Sequence, residues 1–129
     1  MQEILALLRN GLHGLLVNTI QTMEETGRTV CDITNTGPWE CTMDLARQVW
    51  DKSRHIEIFL KLLERVEGCS GEYPETTAET SAAGLAGDVM VQLIELAQKI
   101  GDPVIERTLD FVLADVSRQV RKDQAYAVA

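Results

Sequence analysis

The sequence predicts an all-α fold, an antiparallel four-helix bundle built by a single domain over residues 1–129, and three observations carry that expectation. Apolar residues recur at spacings of three and four through four long segments, which is the period of one helical face. The breaks between those segments carry Gly, Pro, Asn and Ser and are short, as connections between antiparallel neighbours are. No stretch alternates apolar and polar residues with the period of two that marks a half-buried strand.

The first segment runs from about Gln2 to Ile33 on a stripe of Leu5, Leu8, Leu12, Leu15, Leu16, Thr19, Met23, Thr26 and Val30. Gly11, Gly14 and Gly27 weaken it locally, each by roughly 1 kcal/mol relative to Ala. Residues 34–38 (Thr-Asn-Thr-Gly-Pro) form a turn, with Pro38 suited to the first helical position of the next segment. That second segment extends to about Glu67 on Leu45, Val49, Lys52, Ile56, Phe59, Leu63 and Val66, and stops at a glycine signal, Gly68-Cys69-Ser70-Gly71. A polar loop over residues 72–77 follows. The third helix starts between Thr77 and Ser81, carries Leu85, Val89, Met90, Leu93, Leu96, Ala97 and Ile100, and ends at Gly101. Its small residues from Ala82 to Gly87 would let a neighbouring helix approach closely. The fourth begins at Asp102-Pro103, an N-cap followed by a first-turn proline. Its stripe is Val104, Ile105, Leu109, Val112, Leu113, Val116 and Val120, and it frays near Gln124-Ala125-Tyr126.

Composition narrows the partners. A formal net charge of −8 disfavours nucleic acid and anionic membrane surfaces, both of which demand clustered Lys and Arg. No run of about 20 apolar residues offers a membrane span. Cys31, Cys41 and Cys69 are odd in number, widely spaced and without a CxxC, so they read as reduced thiols rather than disulfides or metal ligands. With no secretory leader pattern, the expected compartment is cytoplasmic. Met23, Met43 and Met90 read as core filling, His13 as structural or exposed, and Trp39 and Trp50 as packed at helix ends or an interface. Glu57, Glu64 and Glu67 with Lys61 and Arg65 form a solvated face. No phosphate-binding glycine loop or nucleophile elbow is present.

One motif recurs. The second helix contains Val49-Trp50-Asp51-Lys52-Ser53-Arg54-His55-Ile56 and the fourth Leu113-Ala114-Asp115-Val116-Ser117-Arg118-Gln119-Val120, both reading apolar, x, Asp, x, Ser, Arg, x, apolar. The repeat resembles the Asp-Glu-x-Arg-His pattern of the ferritin-like superfamily, the rubrerythrin-related di-iron carboxylate bundles. The likeness is closest over Leu45 to Glu57, looser in the fourth helix and faintest in the first. It implies a ferritin-like bundle in which Glu and His at i and i+3 project inward from two helices, while glutamates of the other two complete a site for two hard cations.

Against that implied ligand set, Lys52 and Val116 stand where glutamates belong, and Gln119 stands for a histidine. The Gly87 region supplies no inward glutamate. In the first helix the inward polar positions are Thr19 and Thr26, with Glu24 and Glu25 turned toward solvent. Only His55 remains, a vestigial ligand with an ammonium beside it that repels cations. The resemblance makes Asp51 and Asp115 outer acids that orient histidines. Lys52, Asp51, Asp115 and Gln119 are therefore expected as a core polar site, with Lys52 either paired to Asp115 or snorkelling to water, and with Arg54 and Arg118 pairing the aspartates.

The leading expectation is a degenerate ferritin-like protein without a complete di-iron site or cofactor. It would act by homodimerisation or by binding a helical partner, through the Ala82–Gly87 patch with Leu7 and Val17. Two alternatives stand beside it: an iron- or manganese-dependent oxidoreductase using His55 with Glu24, Asp51 or Asp115, and a small-molecule carrier holding a ligand near Lys52 and His55.

Overall fold

The computed structural model describes residues 2–69, 71 and 83–128, with residues 83–86 and 122–128 described by backbone alone. Among the described residues the secondary structure consists of four α-helices: α1 (Gln2–Ile33), α2 (Trp39–Arg65), α3 (Ala83–Ile100) and α4 (Pro103–Val128). α1 packs on α2 and α3, and α4 packs on α3 and α2, so the helices close a ring in the order α1, α2, α4, α3. The expected loop at 72–77, the expected start of the third helix and Ala82 lie outside the described residues, and residues 83–86 of the small-residue patch are described by backbone alone.

Local chemistry sets the helix ends. Pro38 has an extended backbone (φ −60°, ψ 139°) and precedes α2 as its N-cap rather than occupying its first turn. Its carbonyl accepts from the Cys41 and Thr42 amides at 3.1 and 3.2 Å. α2 closes with Gly68 N–H donating to Leu63 O at 2.7 Å, and α3 closes with the equivalent bond from Asp102 N–H to Ala97 O at 3.0 Å. The left-handed residue of α3 is Gly101 (φ 72°), as its sequence suggests. In α2 it is Glu67 (φ 63°), so the glycine signal at Gly68 falls one residue late. Asp102 caps α4, its Oδ1 accepting from Val104 and Ile105 N–H at 3.1 and 3.3 Å. The same carboxylate receives Arg65 from the end of α2, Nε to Oδ2 at 2.9 Å and Nη2 to Oδ1 at 3.2 Å. α4 continues to Val128, past the expected fraying point.

The core is one cluster. It comprises Leu8, Leu12, Leu15 and Leu16 of α1, Phe59, Leu62, Leu63 and Val66 of α2, Met90, Leu93 and Ala97 of α3, and Ile105, Leu109 and Val112 of α4. Gly11 admits α3 here: a Cβ at that position would lie 2.5 Å from Leu93 Cδ2, so its absence serves close approach as well as weakening the helix.

Two stripes are rotated from their expected positions. In α2 the buried residues are Thr42, Gln48, His55, Phe59, Leu62 and Leu63, while Leu45, Val49, Lys52 and Ile56 sit half-buried at the margins. In α4 Asp115 and Gln119 are buried, Val116 and Val120 are half-buried, and Val104 is exposed. Several smaller expectations change with them. Met90 fills the core, but Met23 is half-buried and Met43 exposed. Val17 is buried and unavailable for a partner, whereas Leu7 is exposed. Trp39 and Trp50 point outward, 65% and 66% exposed. No described helix is long and apolar enough to cross a membrane.

Candidate functional site

The recurring motif places an aspartate, an arginine three residues on and a third polar side chain four residues on along one side of each helix. On α2 these are Asp51, Arg54 and His55; on α4 they are Asp115, Arg118 and Gln119. The two triplets mesh. Within each helix the arginine pairs with its own aspartate, Arg54 Nη2 to Asp51 Oδ1 at 2.7 Å and Arg118 Nη2 to Asp115 Oδ1 at 2.5 Å. Across the interface the third side chain reaches the other helix's aspartate: His55 Nε2 to Asp115 Oδ2 at 3.1 Å, and Gln119 Nε2 to Asp51 Oδ2 at 3.3 Å. The same bond pattern is thus made twice, once with imidazole and once with amide.

The two copies differ in burial. Asp115 and His55 expose 7% and 2% of their side chains, whereas Asp51 exposes 25%. Arg54 also approaches Asp115 Oδ2 at 3.6 Å, so the buried carboxylate meets groups from both helices. Burial pushes the Asp51 carboxyl up, but hydrogen bonds from Arg54 and Gln119 and the neighbouring positive charge outweigh it and hold the group below the ordinary range. His55 moves down from 6.5: loss of solvent disfavours its charged form, the Asp115 hydrogen bond and charge oppose that, and the Lys52 and Arg54 charges reinforce it. Neutral His55 facing an acceptor-only carboxylate must carry its proton on Nε2.

Lys52 borders the interior of the bundle beside the two triplets. Its Nζ donates to Gln119 Oε1 at 3.3 Å, and its side chain lines a central cavity of about 40 Å³. All four helices contribute to that cavity. Asn18, Thr19, Thr22, Lys52 and His55 provide a polar wall, and Leu15, Phe59, Met90, Val112 and Val116 an apolar one. The inward threonines are satisfied within α1: Thr19 Oγ1 donates to Leu15 O at 2.6 Å, Thr22 to Asn18 O at 2.7 Å and Thr26 to Thr22 O at 2.8 Å.

The structure therefore brings Asp51, Lys52, His55, Asp115 and Gln119 together, with Arg54 and Arg118 at the rim. It leaves Glu24 exposed and outside the group. His13 lies elsewhere, buried, with Gly71 N–H donating to its Nε2 at 3.1 Å, a structural tie. Glu57 and Lys61 pair in solvent at 3.3 Å. Sequence reasoning missed Asn18 and Thr22. Their signal was available, since Asn18 follows Leu8, Leu12 and Leu15 at helical spacing and Thr22 follows Asn18 by four. It also missed Gln48, which with Asp44, Arg47, Asp51, Arg118 and Gln119 lines a surface cleft of about 210 Å³ between α2 and α4.

Among the described residues no three His, Cys, Asp or Glu side chains converge as a metal-binding group. Comparison with family models, curated proteins and solved structures returns no match.

Proposed function

We propose that the chain is a single-domain, antiparallel ferritin-like bundle whose interior serves structure rather than redox chemistry, and that it acts by association through the outer face of α2. The antiparallel reading is supported by the cross-helix pairs: Asp51 meets Gln119, His55 meets Asp115 and Arg65 meets Asp102, so α4 numbers fall as α2 numbers rise. The ferritin-like reading rests on the repeated motif and its reciprocal hydrogen bonds.

The donor set favours this over an iron- or manganese-dependent oxidoreductase. Two hard cations call for several carboxylates at the centre. The cavity wall instead presents an ammonium, an amide, hydroxyls and a histidine whose Nε2 is already bonded to Asp115. Those residues do not fit a di-metal centre. At about 40 Å³ the cavity is also far below the roughly 300 Å³ at which small-molecule pockets begin, which speaks against a carrier.

The observation that carries association is the outer face of α2. Trp39, Met43 and Trp50 are 65%, 39% and 66% exposed, and at 100° per residue they fall within about 40° of one another. An exposed row holding two tryptophans on one helix face suits an interaction surface, because Trp joins large apolar area to a hydrogen-bond donor. Leu7 and the small-residue start of α3 become secondary. Light scattering on a sizing column tests the reading: the wild type elutes as a dimer or with a helical partner, and Trp39→Glu with Trp50→Glu elutes as a folded monomer. A wild type that stays monomeric at about 100 µM and retains no partner sinks it, since a working interface of standard size holds micromolar or tighter.

A further inference from the structure

We propose that the surface cleft between α2 and α4 binds a small free α-amino acid by its zwitterionic end, the carboxylate on Arg47 and Arg118 and the ammonium on Asp51. The inference rests on that cleft and does not depend on how the protein associates.

Local structure places the charges. Asp44, Arg47, Gln48 and Asp51 recur at helical spacing along α2 and share the flank turned toward α4. Arg118 and Gln119 of α4 complete the cleft, which has a volume of about 210 Å³. Every described residue that lines it is charged or carries a side-chain amide. Gln48 and Gln119 are 6% and 7% exposed and form its floor. Arg47 is exposed and the Arg118 side chain is 59% exposed, so a guanidinium stands at the mouth on each side.

The opposite charges have bonding capacity to spare. Arg47 and Asp51 lie one helical turn apart, close enough to pair. Asp51 instead receives Arg54 on Oδ1 at 2.7 Å and Gln119 on Oδ2 at 3.3 Å. Each carboxylate oxygen can accept two hydrogen bonds, so Asp51 has room for an ammonium as well. Arg118 gives Nη2 to Asp115. A guanidinium carries five N–H donors, and its fork matches a carboxylate, so Arg118 and Arg47 can hold one between the helices.

That arrangement selects the ligand. A plain anion gains from the guanidiniums but meets the Asp51 charge, and a plain cation meets the reverse. An α-amino acid carries both charges on one carbon and satisfies both walls together. The volume lies below the roughly 300 Å³ of drug-sized pockets, which suits a molecule of alanine or serine size. With no apolar group among the described lining, a large hydrophobic side chain finds nothing to cover it.

NMR titration of the ¹⁵N-labelled protein at constant ionic strength tests this, with L-alanine as the probe and acetate and methylammonium as its separated halves. L-Alanine shifts the side-chain amides of Gln48 and Gln119 and the Nε–H of Arg118 saturably, with a Kd of about 1 mM or tighter. Each half alone binds at least about tenfold more weakly. Arg47→Gln raises the L-alanine Kd about tenfold or more, and Asp51→Asn removes the preference for L-alanine over acetate. Arg47 is exposed, so its variant keeps the test decisive should Asp51→Asn fail to fold. Acetate or methylammonium binding as tightly as L-alanine overturns the proposal. So does an affinity undiminished in Arg47→Gln, or the absence of saturation by about 10 mM.

Discussion

Toward the end of α2, Phe59, Leu62, Leu63 and Val66 share a buried apolar cluster with Leu8, Leu12, Ile105 and Leu109. One to two turns earlier in α2, and correspondingly later in α4, the interior is His55, Asp115, Gln119 and the cavity beside Lys52. The same helices thus hold together by two kinds of physics. The apolar half gains from removing surface from water and has no directional requirement. The polar half gains little net free energy from each bond, yet each depends on a partner at a fixed place, because a buried group deprived of its partner loses its hydration without return. The apolar half supplies stability, and the polar half supplies register between α2 and α4.

Three substitutions break or sharpen that contrast. The largest effect belongs to Phe59→Ala, which empties the centre of the apolar half (2% exposed) and is expected to lower unfolding free energy by about 3–5 kcal/mol in urea titration. A loss no greater than that of an average surface site would mean the cluster is not where stability resides. Asp115→Asn comes next, at about 1–3 kcal/mol, because it removes the charge that His55, Arg118 and Arg54 converge on. The solvent exposure of both arginines keeps the value below that of a sealed ion pair. Its signature is a greater loss than Asp51→Asn, whose carboxylate is more exposed.

His55→Gln is expected to be mildest, about 1 kcal/mol at pH 7, since it makes the imidazole copy of the motif resemble the amide copy at Gln119. Its value lies in the pH profile. Below about 6.5 the unfolded chain protonates its histidine while folded His55, with its lowered affinity for protons, resists, so stability falls as pH drops through that range. Asp51, also lowered, adds its loss only below the ordinary carboxylate range, as pH falls through its folded value. Midpoints measured from pH 7 to pH 5 should therefore decline in the wild type and flatten in His55→Gln. An unchanged slope would show that His55 is not the group responsible.

How legible this was in the sequence differs between the halves for the same reason. Helix α1 runs from Gln2 to Ile33, as its periodicity implies, and Leu8, Leu12, Phe59, Leu63, Ile105 and Leu109 lie on the face that spacing alone marks as inward. Apolar periodicity registers only apolar residues. Where Gln48, His55, Asp115 and Gln119 turn inward, the stripe seemed to pass through Val49, Lys52, Ile56 and Val116 instead. What makes His55, Asp115 and Gln119 tolerable there is a partner 60 or 68 residues away, which no local window contains. The repeated Asp-x-Ser-Arg motif was visible as a repeat. Its reciprocal wiring required three-dimensional placement, and so did the choice of Gln119 as the Lys52 acceptor.

One carboxylate far from that cluster has a consequence for motion. Asp102 receives the first amides of α4 and, at the same time, the Arg65 guanidinium from the last turn of α2. The two helix termini therefore share a latch. Fraying of α2 removes a cation from the group that starts α4, and unwinding the start of α4 withdraws the anion that pins α2. Exchange of the amides at Val104 and Ile105 would then track opening of the end of α2, making this edge of the molecule one cooperative unit rather than two independent ends.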